Sequence, residues 1–332
     1  MKDGKRFFPA LTMGILLLFV SASSPQTGSG EPQRVSLLGD GRGIDHLVVL
    51  VRDLDAAENT FRTLLGFKVK RQGKFPEGVE SSSISFMDRG YLEFVGIYDH
   101  EKAAQAEVAE FLRGHEGADG MGLHVSSARQ TASFLQPRGF QVEGPASMDY
   151  LPEGAKEPQQ FWLTVSFKEP VVPGGTFFFI EYNEKAIQER RKKNPKVADN
   201  TEHANTAQRI KSVWVAVKDL QAAVKAYEAL GFTAGRQVDL PRLGATGREI
   251  AAGGGGILLL QAHGSDSKVA SFLTSRGEGI MGVSIQVAKL KAARGVLETG
   301  VKQRFIPYSG AYGKSLLVPL ELTRGLWVEL FQ

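Results

Sequence analysis

The chain has 332 residues, of which 42% are hydrophobic and 23% charged, an ordinary globular composition that excludes wholesale disorder and a polytopic membrane protein. Its formal net charge of +4 is too small an excess to supply the dense basic face that a nucleic acid or an anionic membrane requires. Cysteine is absent, which removes disulfides, thiolate metal sites and cysteine nucleophiles.

The first residues read as an export signal. Lys2, Lys5 and Arg6 precede an apolar run from Met13 to Val20, and Val20-Ser21-Ala22 offers a small-residue cleavage site. That run is far shorter than the roughly 20 residues that cross a bilayer. We therefore expect a signal peptide over 1–22, cleavage after Ala22, and a periplasmic or extracellular protein with no membrane contact once the signal is gone. Residues 23–42, rich in Ser, Gly, Pro and Gln, read as a flexible leader.

Internal repeats organise the remainder of the chain. Ile44-Asp45-His46-Leu47-Val48-Val49-Leu50-Val51 returns 166 residues later as Ile210-Lys211-Ser212-Val213-Trp214-Val215-Ala216-Val217, and Asp53-Leu54 returns as Asp219-Leu220. In each copy β-branched residues make a strand and the aspartate sits where a helix N-cap is wanted. Apolar residues at three- and four-residue spacing then carry a helix that Gly66 or Gly231 closes. Further strands are predicted at residues 67–71, 83–88 and 91–97. Fainter copies start at Met121-Gly122-Leu123-His124-Val125, with strands at 161–167 and 176–182, and at Met281-Gly282-Val283-Ser284-Ile285, with a last strand at 326–331. The result is an α+β chain of four βαβββ units. One pair spans 43–183, a polar linker spans 184–208, and a second pair spans 209–332. The linker's basic run Arg190-Arg191-Lys192-Lys193 reads as a solvated face.

Four side chains stand out in the first pair. His46 and His124 lie in the opening strands of their units, and Glu93 and Glu181 lie in the closing strands between large apolar residues. Charges in such strands are costly unless paired, exposed or bound to a metal. Two imidazoles and two carboxylates suit a divalent ion of the Zn, Mn, Fe, Co or Ni group, if the symmetry of the pair brings them into one cup. The matching positions of the second pair read Ser212, Leu259, Ser284 and Glu329, a half without metal. His203 reads as a surface-loop residue, and the run Gly253 to Gly256 as a hairpin rather than a phosphate loop. No Gly-x-Ser-x-Gly elbow, dinucleotide fingerprint or His-Glu-x-x-His motif occurs.

Gly43-Ile44-Asp45-His46-Leu47-Val48-Val49, with Tyr91-Leu92-Glu93-Phe94-Val95, resembles the glyoxalase-like branch of the vicinal oxygen chelate superfamily. The resemblance covers residues 43 to 183 with specific motifs and 210–332 more weakly. It implies modules paired into a cup that holds one divalent ion, with His46, Glu93, His124 and Glu181 as ligands. Because Glu93 is kept, the set is more similar to the glyoxalase and epimerase type than to ring-cleaving dioxygenases. The implied activity is a lyase or isomerase that chelates neighbouring oxygens of a small substrate while Glu181 moves a proton, as base and then acid. Phe177 and Phe179, on the same side as Glu181, would wall the cup. The alternatives are a non-catalytic small-molecule binding or resistance protein and a ring-cleaving dioxygenase. A homodimer that exchanges units fits the same pattern.

Overall fold

The computed structural model describes residues 36–150, 158–193, 200–305 and 308–332; the expected signal peptide and most of the expected leader lie outside them. Four units succeed one another. The first is β1 (Gly43–Leu50), α1 (Leu54–Asn59), β2 (Lys70–Lys74), β3 (Val79–Ser85) and β4 (Tyr91–Ile97). After helix α2 (Glu107–Gly114), the second runs through β5 (Gly117–His124), α3 (Ala128–Leu135), β6 (Val142–Tyr150), β7 (Gln159–Phe167) and β8 (Thr176–Tyr182). Helix α4 (Glu184–Lys193) leads to β9 (Ala207–Ala216), α5 (Leu220–Ala229), β10 (Thr233–Leu240), β11 (Ala245–Ala252) and β12 (Gly255–Ala262). Helix α6 (Lys268–Arg276) precedes the fourth unit: β13 (Gly279–Val287), α7 (Leu290–Val301), β14 (Tyr308–Gly310), β15 (Gly313–Val318) and β16 (Trp327–Phe331).

Each pair forms one eight-stranded sheet, in the orders β2-β3-β4-β1-β5-β8-β7-β6 and β10-β11-β12-β9-β13-β16-β15-β14. The α+β architecture of four βαβββ units in two pairs is thus observed, and the units pair within one chain. β1 meets β5 antiparallel at the centre of the first sheet, and each runs parallel to the closing strand of its own unit. Asp53 and Asp219 cap their helices as expected, accepting from Ala56 N at 2.8 Å and Ala222 N at 2.9 Å. β6 has no counterpart among the predicted strands, because Gly144-Pro145 interrupts its pattern; as the edge of its sheet it tolerates the missing donor.

Strand alternation divides the side chains into two sets. Leu47, Val49 and Val51 of the first pair, and Val213, Val215 and Val217 of the second, enter one core that both halves share. The helices meet within it. A side chain at Gly66 would strike Val296 of α7, and one at Gly231 would strike Phe134 of α3. Both glycines also have positive φ, 73° and 101°, so helix exit and close packing ask for the same residue. The opposite faces of the sheets curl into cups.

Two segments outside the units are tied down. The end of the expected leader is packed: Leu37 is 2% exposed in the shared core, and its carbonyl accepts from Thr131 Oγ1 at 2.8 Å. His203 is buried rather than on a surface loop. It lies edge-on to Phe67 and Phe86; its Nδ1 accepts from Lys68 N at 3.0 Å, and its Nε2 donates to Ser85 O at 3.0 Å. That arrangement needs a neutral ring, and burial lowers the His203 pKa from its ordinary 6.5. A histidine depressed in the folded state contributes its full stability above the unfolded pKa and loses it as pH falls below about 6.5. Urea unfolding at pH 7.5 and pH 5.5 should therefore show a loss of stability on acidification that is smaller in His203→Asn, and that variant should be less stable by about 1–3 kcal/mol at the higher pH.

Candidate active site

The site begins with an irregularity in β1. Ile44 pairs with Leu123 and His46 with Gly122, so Asp45 is an extra residue in the ladder. A bulge of this kind re-aims side chains. Ile44 and Leu47 stay in the core, while Asp45 and His46 work together on the cup side. His46 Nδ1 lies 2.8 Å from Asp45 Oδ2. The same carboxylate accepts from Tyr182 Oη at 2.7 Å and, through Oδ1, from Arg42 Nη2 at 2.7 Å. Tyr91 extends the chain by hydrogen-bonding the Tyr182 hydroxyl.

Asp45 is fully buried. Burial pushes its pKa up, but the hydrogen bond and charge of His46, the Tyr182 hydrogen bond and the Arg42 charge outweigh this and hold it below the usual carboxylate range. An ionised Asp45 requires a His46 proton on Nδ1, so in the neutral ring Nε2 carries the lone pair. The imidazole is clamped in place. Tyr91 stacks on it at 4.4 Å, and Phe178 meets it edge-on at 5.3 Å. A Cβ at Gly122 would come within 2.6 Å of its Cε1, which is why the facing residue is glycine.

Above this chain opens a cavity of about 300 Å³ lined by Ser81, Ser83 and Ser85 of β3, Tyr91 and Glu93 of β4, and Tyr182. Arg42, Arg89 and Arg191 also line it. Arg191 belongs to the basic run expected to be a solvated face, and Arg190, Arg191 and Lys192 are exposed; α4 also borders the cup through Ile187 and Arg191, with Glu184 paired to Arg89 at 2.8 Å. Burial raises the Glu93 pKa against the pull of His46, and raises those of Tyr91 and Tyr182 well above the phenolic value. The floor therefore carries several retained protons and, when His46 is neutral, one lone pair.

Of the four expected ligands, the structure brings together His46 and Glu93 only. Glu181 lies on the opposite face of β8: its Oε2 accepts from Ala128 N, the first residue of α3, at 2.7 Å. Gln332 does the same at the end of β16, accepting from Leu290 N of α7 at 3.0 Å. Both are helix caps. Phe177 and Phe179 share the face of Glu181, but that face is the shared core, where Phe177 meets Tyr227 and Phe232. The expected alternation holds and the expected face is reversed. His124 Nδ1 accepts from Arg42 N at 2.9 Å, so His124 positions the segment that carries Arg42. Burial and the Arg42 charge lower its pKa.

Counting from the helix caps explains the mismatch. The capping residues Asp53, Ser127, Asp219 and Lys289 are equivalent, and seven residues before them stand His46, Gly120, Ser212 and Gly282. The counterpart of His46 in the second unit is Gly120, not His124. Glu93 faces Val48 across the sheet, and Phe178 faces Gly122, the equivalent of Val48. The four symmetry-related positions of the first cup are therefore His46, Glu93, Gly120 and Phe178, two donors and two non-donors. Among the described residues no three His, Asp or Glu side chains form a metal-binding group. The residues present do not fit the expected four-ligand centre.

In the second cup the same positions are Ser212, Leu258, Gly282 and Glu329, with Leu258 rather than Leu259 matching Glu93. Trp214, standing where the first cup has Val48, fills this cup with Leu258, Met281 and Trp327. Its Nε1 donates to Ser284 Oγ at 2.8 Å, and Ser284 Oγ donates to the buried Glu329 carboxylate at 2.5 Å.

The comparisons with known proteins agree with this architecture. A glyoxalase-like domain profile matches residues 44–231, and the profile of the glyoxalase/bleomycin resistance protein/dioxygenase superfamily matches residues 209–316. The chain belongs to the glyoxalase-like domain family, within the vicinal oxygen chelate superfamily. A hypothetical protein from Staphylococcus aureus is 15% identical with a TM-score of 0.56 over 87% of this chain and 98% of its own. A mutant of 4-hydroxymandelate synthase from Streptomyces coelicolor is 12% identical with a TM-score of 0.58 over 87% of this chain and 92% of its own. Methylmalonyl-CoA epimerase from Mycobacterium tuberculosis is 23% identical, with a TM-score of 0.35, over 38% of this chain and 87% of its own. No curated protein matches.

The site geometry leads to two expected outcomes. Glu181→Gln should change stability by less than about 0.5 kcal/mol in chemical denaturation, since Gln332 caps in the same way, whereas Glu181→Ala should cost about 1 kcal/mol. In calorimetric titration with Zn²⁺ and Ni²⁺, the double variant Gly120→His with Phe178→Glu should bind roughly 100-fold more tightly than the natural chain, because it completes the His and Glu pairs. Tight stoichiometric binding by the natural chain would overturn the count from the caps.

Proposed function

We propose that the first cup catalyses proton transfer at a carbon next to a carbonyl in a small, oxygen-rich anionic substrate, an isomerase- or lyase-type reaction, and that His46 is the base. The observation that carries this reading is the hydrogen-bonded chain Tyr91–Tyr182–Asp45–His46 beneath an arginine-lined cavity. The reading keeps the reaction class that the family resemblance suggests and moves the proton-transfer role from Glu181 to His46. A divalent ion is not used in it, because Gly120 and Phe178 stand where two of the donors would have to be.

Arg42, Arg89 and Arg191 draw the anionic substrate to the cavity. His46 Nε2 takes the proton from the substrate carbon, and the carbon's electron pair moves onto the carbonyl oxygen. Asp45 stabilises the imidazolium that forms. Tyr91, kept protonated by burial, is a donor for the developing enolate oxygen, and Glu93, whose raised pKa favours its acid form, is a second. Returning the proton from His46 to carbon completes the cycle. The N-terminal pattern of 1–22 supports export; sequencing the mature N-terminus should give Ser23.

The test follows exchange of the substrate C–H in D₂O by proton NMR, over a panel of vicinal dicarbonyls and hydroxy-acyl compounds. His46→Asn should slow exchange by about 10²–10⁴-fold. Tyr182→Phe should slow it less and shift its pH profile, while Glu181→Gln should leave it unchanged. Exchange that survives His46→Asn, or is lost in Glu181→Gln, rejects the assignment; binding of panel members without exchange would make the cup a carrier's site.

A further inference from the structure

The active-site cavity does not end at β3. A second cavity, of about 380 Å³, adjoins it and shares Ser83 and Ser85 as lining residues. Its other walls include Lys68, Lys70 and Asn200, together with Arg62, whose guanidinium pairs with Glu58 at 3.1 Å. The cations around β2 differ in their partners. Arg71 is surrounded by Asp55, Glu58 and Glu80. Lys68, which lines the cavity, has for its ammonium the amide oxygen of Asn200 at 3.0 Å and no carboxylate among the described residues. The Lys68 ammonium, at the wall of a concave space, marks a place where an anion completes its charge balance.

The sheet supplies the distance. Lys70 pairs with Ser83, and Ser83 with Glu93, in one row across three strands. Two strand spacings separate Lys70 from the strand of Glu93, roughly 10 Å. We propose that the first cup takes an elongated substrate whose reacting carbonyl end sits at His46 and Glu93 and whose second oxyanion, a phosphate or carboxylate about 10 Å away, sits at Lys68 and Lys70. This rests on the proton-transfer reading and adds the substrate class to it. Ser83 and Ser85, common to both cavities, lie under the connecting atoms, where their hydroxyls serve a polar linker.

Binding to the full chain tests the proposal, with oxalate as probe of the inner cavity and inorganic phosphate or acetate as probe of the outer one, followed by ¹H–¹⁵N chemical shifts. Phosphate or acetate should move the amides of residues 68–70 and 83–85 with oxalate already bound, and the better of the two identifies the distal group. Lys68→Ala with Lys70→Ala should weaken that anion by about tenfold and leave oxalate within about twofold; His46→Asn should do the reverse. An ω-phosphonoalkanoate or dicarboxylate about 10 Å long should bind at least about tenfold more tightly than either fragment, an advantage the lysine variants abolish. The proposal is overturned if both outer probes leave those amides unmoved, if they compete with oxalate for one place, or if the lysine variants bind them normally. Failure of the natural chain to bind oxalate, while it still binds the outer anion, would instead reject the reading of the inner cup.

Discussion

The antiparallel seam between β1 and β5 fixes which side chains the first cup contains. Because side chains alternate across a strand, the register of this one pair determines that His46 faces Gly122 and that Gly120 and Phe178 occupy the places related by symmetry to His46 and Glu93. The extra residue in β1 then adds Asp45 to the cup side without moving Leu47, Val49 and Val51 out of the core. A ladder without that bulge would place Asp45 among the apolar residues, where an ionised carboxylate has no partner.

Much of the architecture is legible in the residues. The strand and cap of Ile44 to Asp53 and of Ile210 to Asp219 repeat so closely that both opening units can be read directly, and β4 spans the predicted residues 91–97. Glu93 and His46 stand out in the sequence because a polar residue inside an apolar strand has few inexpensive locations, and the structure sets both at the first cup. The second unit is misaligned when Met121-Gly122 is matched to Met281-Gly282 by appearance. The caps Ser127 and Lys289 place the strands two residues differently, and in a strand that leaves the face unchanged while moving a residue by one pleat. Glu181 is misread for another reason. Its apolar neighbours make it look like a charge needing a metal, yet the helix-terminal N–H of Ala128, a group on a separate helix, satisfies it. The pairing of a carboxylate with a distant helix terminus leaves no mark in local sequence.

The two halves show how one scaffold keeps or closes a cup. Val48 leaves space over β1, whereas Trp214 at the equivalent place fills it. The tryptophan brings a donor that needs a partner, and the Ser284–Glu329 pair provides it. The second half thereby gains a packed interior around a buried carboxyl. The faces turned toward the helices stay apolar in both halves, because there the same core is being built twice.

The charge balance of the first cup reaches beyond the four units. Asp45 is held ionised in a fully buried place by His46, Tyr182 and Arg42 together, and Arg42 precedes β1. Its backbone N–H is held by His124, and its carbonyl accepts from Gly254 N of the second half at 2.9 Å. At Gly43 the two halves touch directly: its backbone bridges Gly253, and a Cβ there would fall 1.8 Å from Ala252 O. The closed second half thus helps to hold one of the groups that keep Asp45 charged. An ionised Asp45 sets the tautomer of His46, so the half without a usable cup contributes to the chemistry of the half that has one.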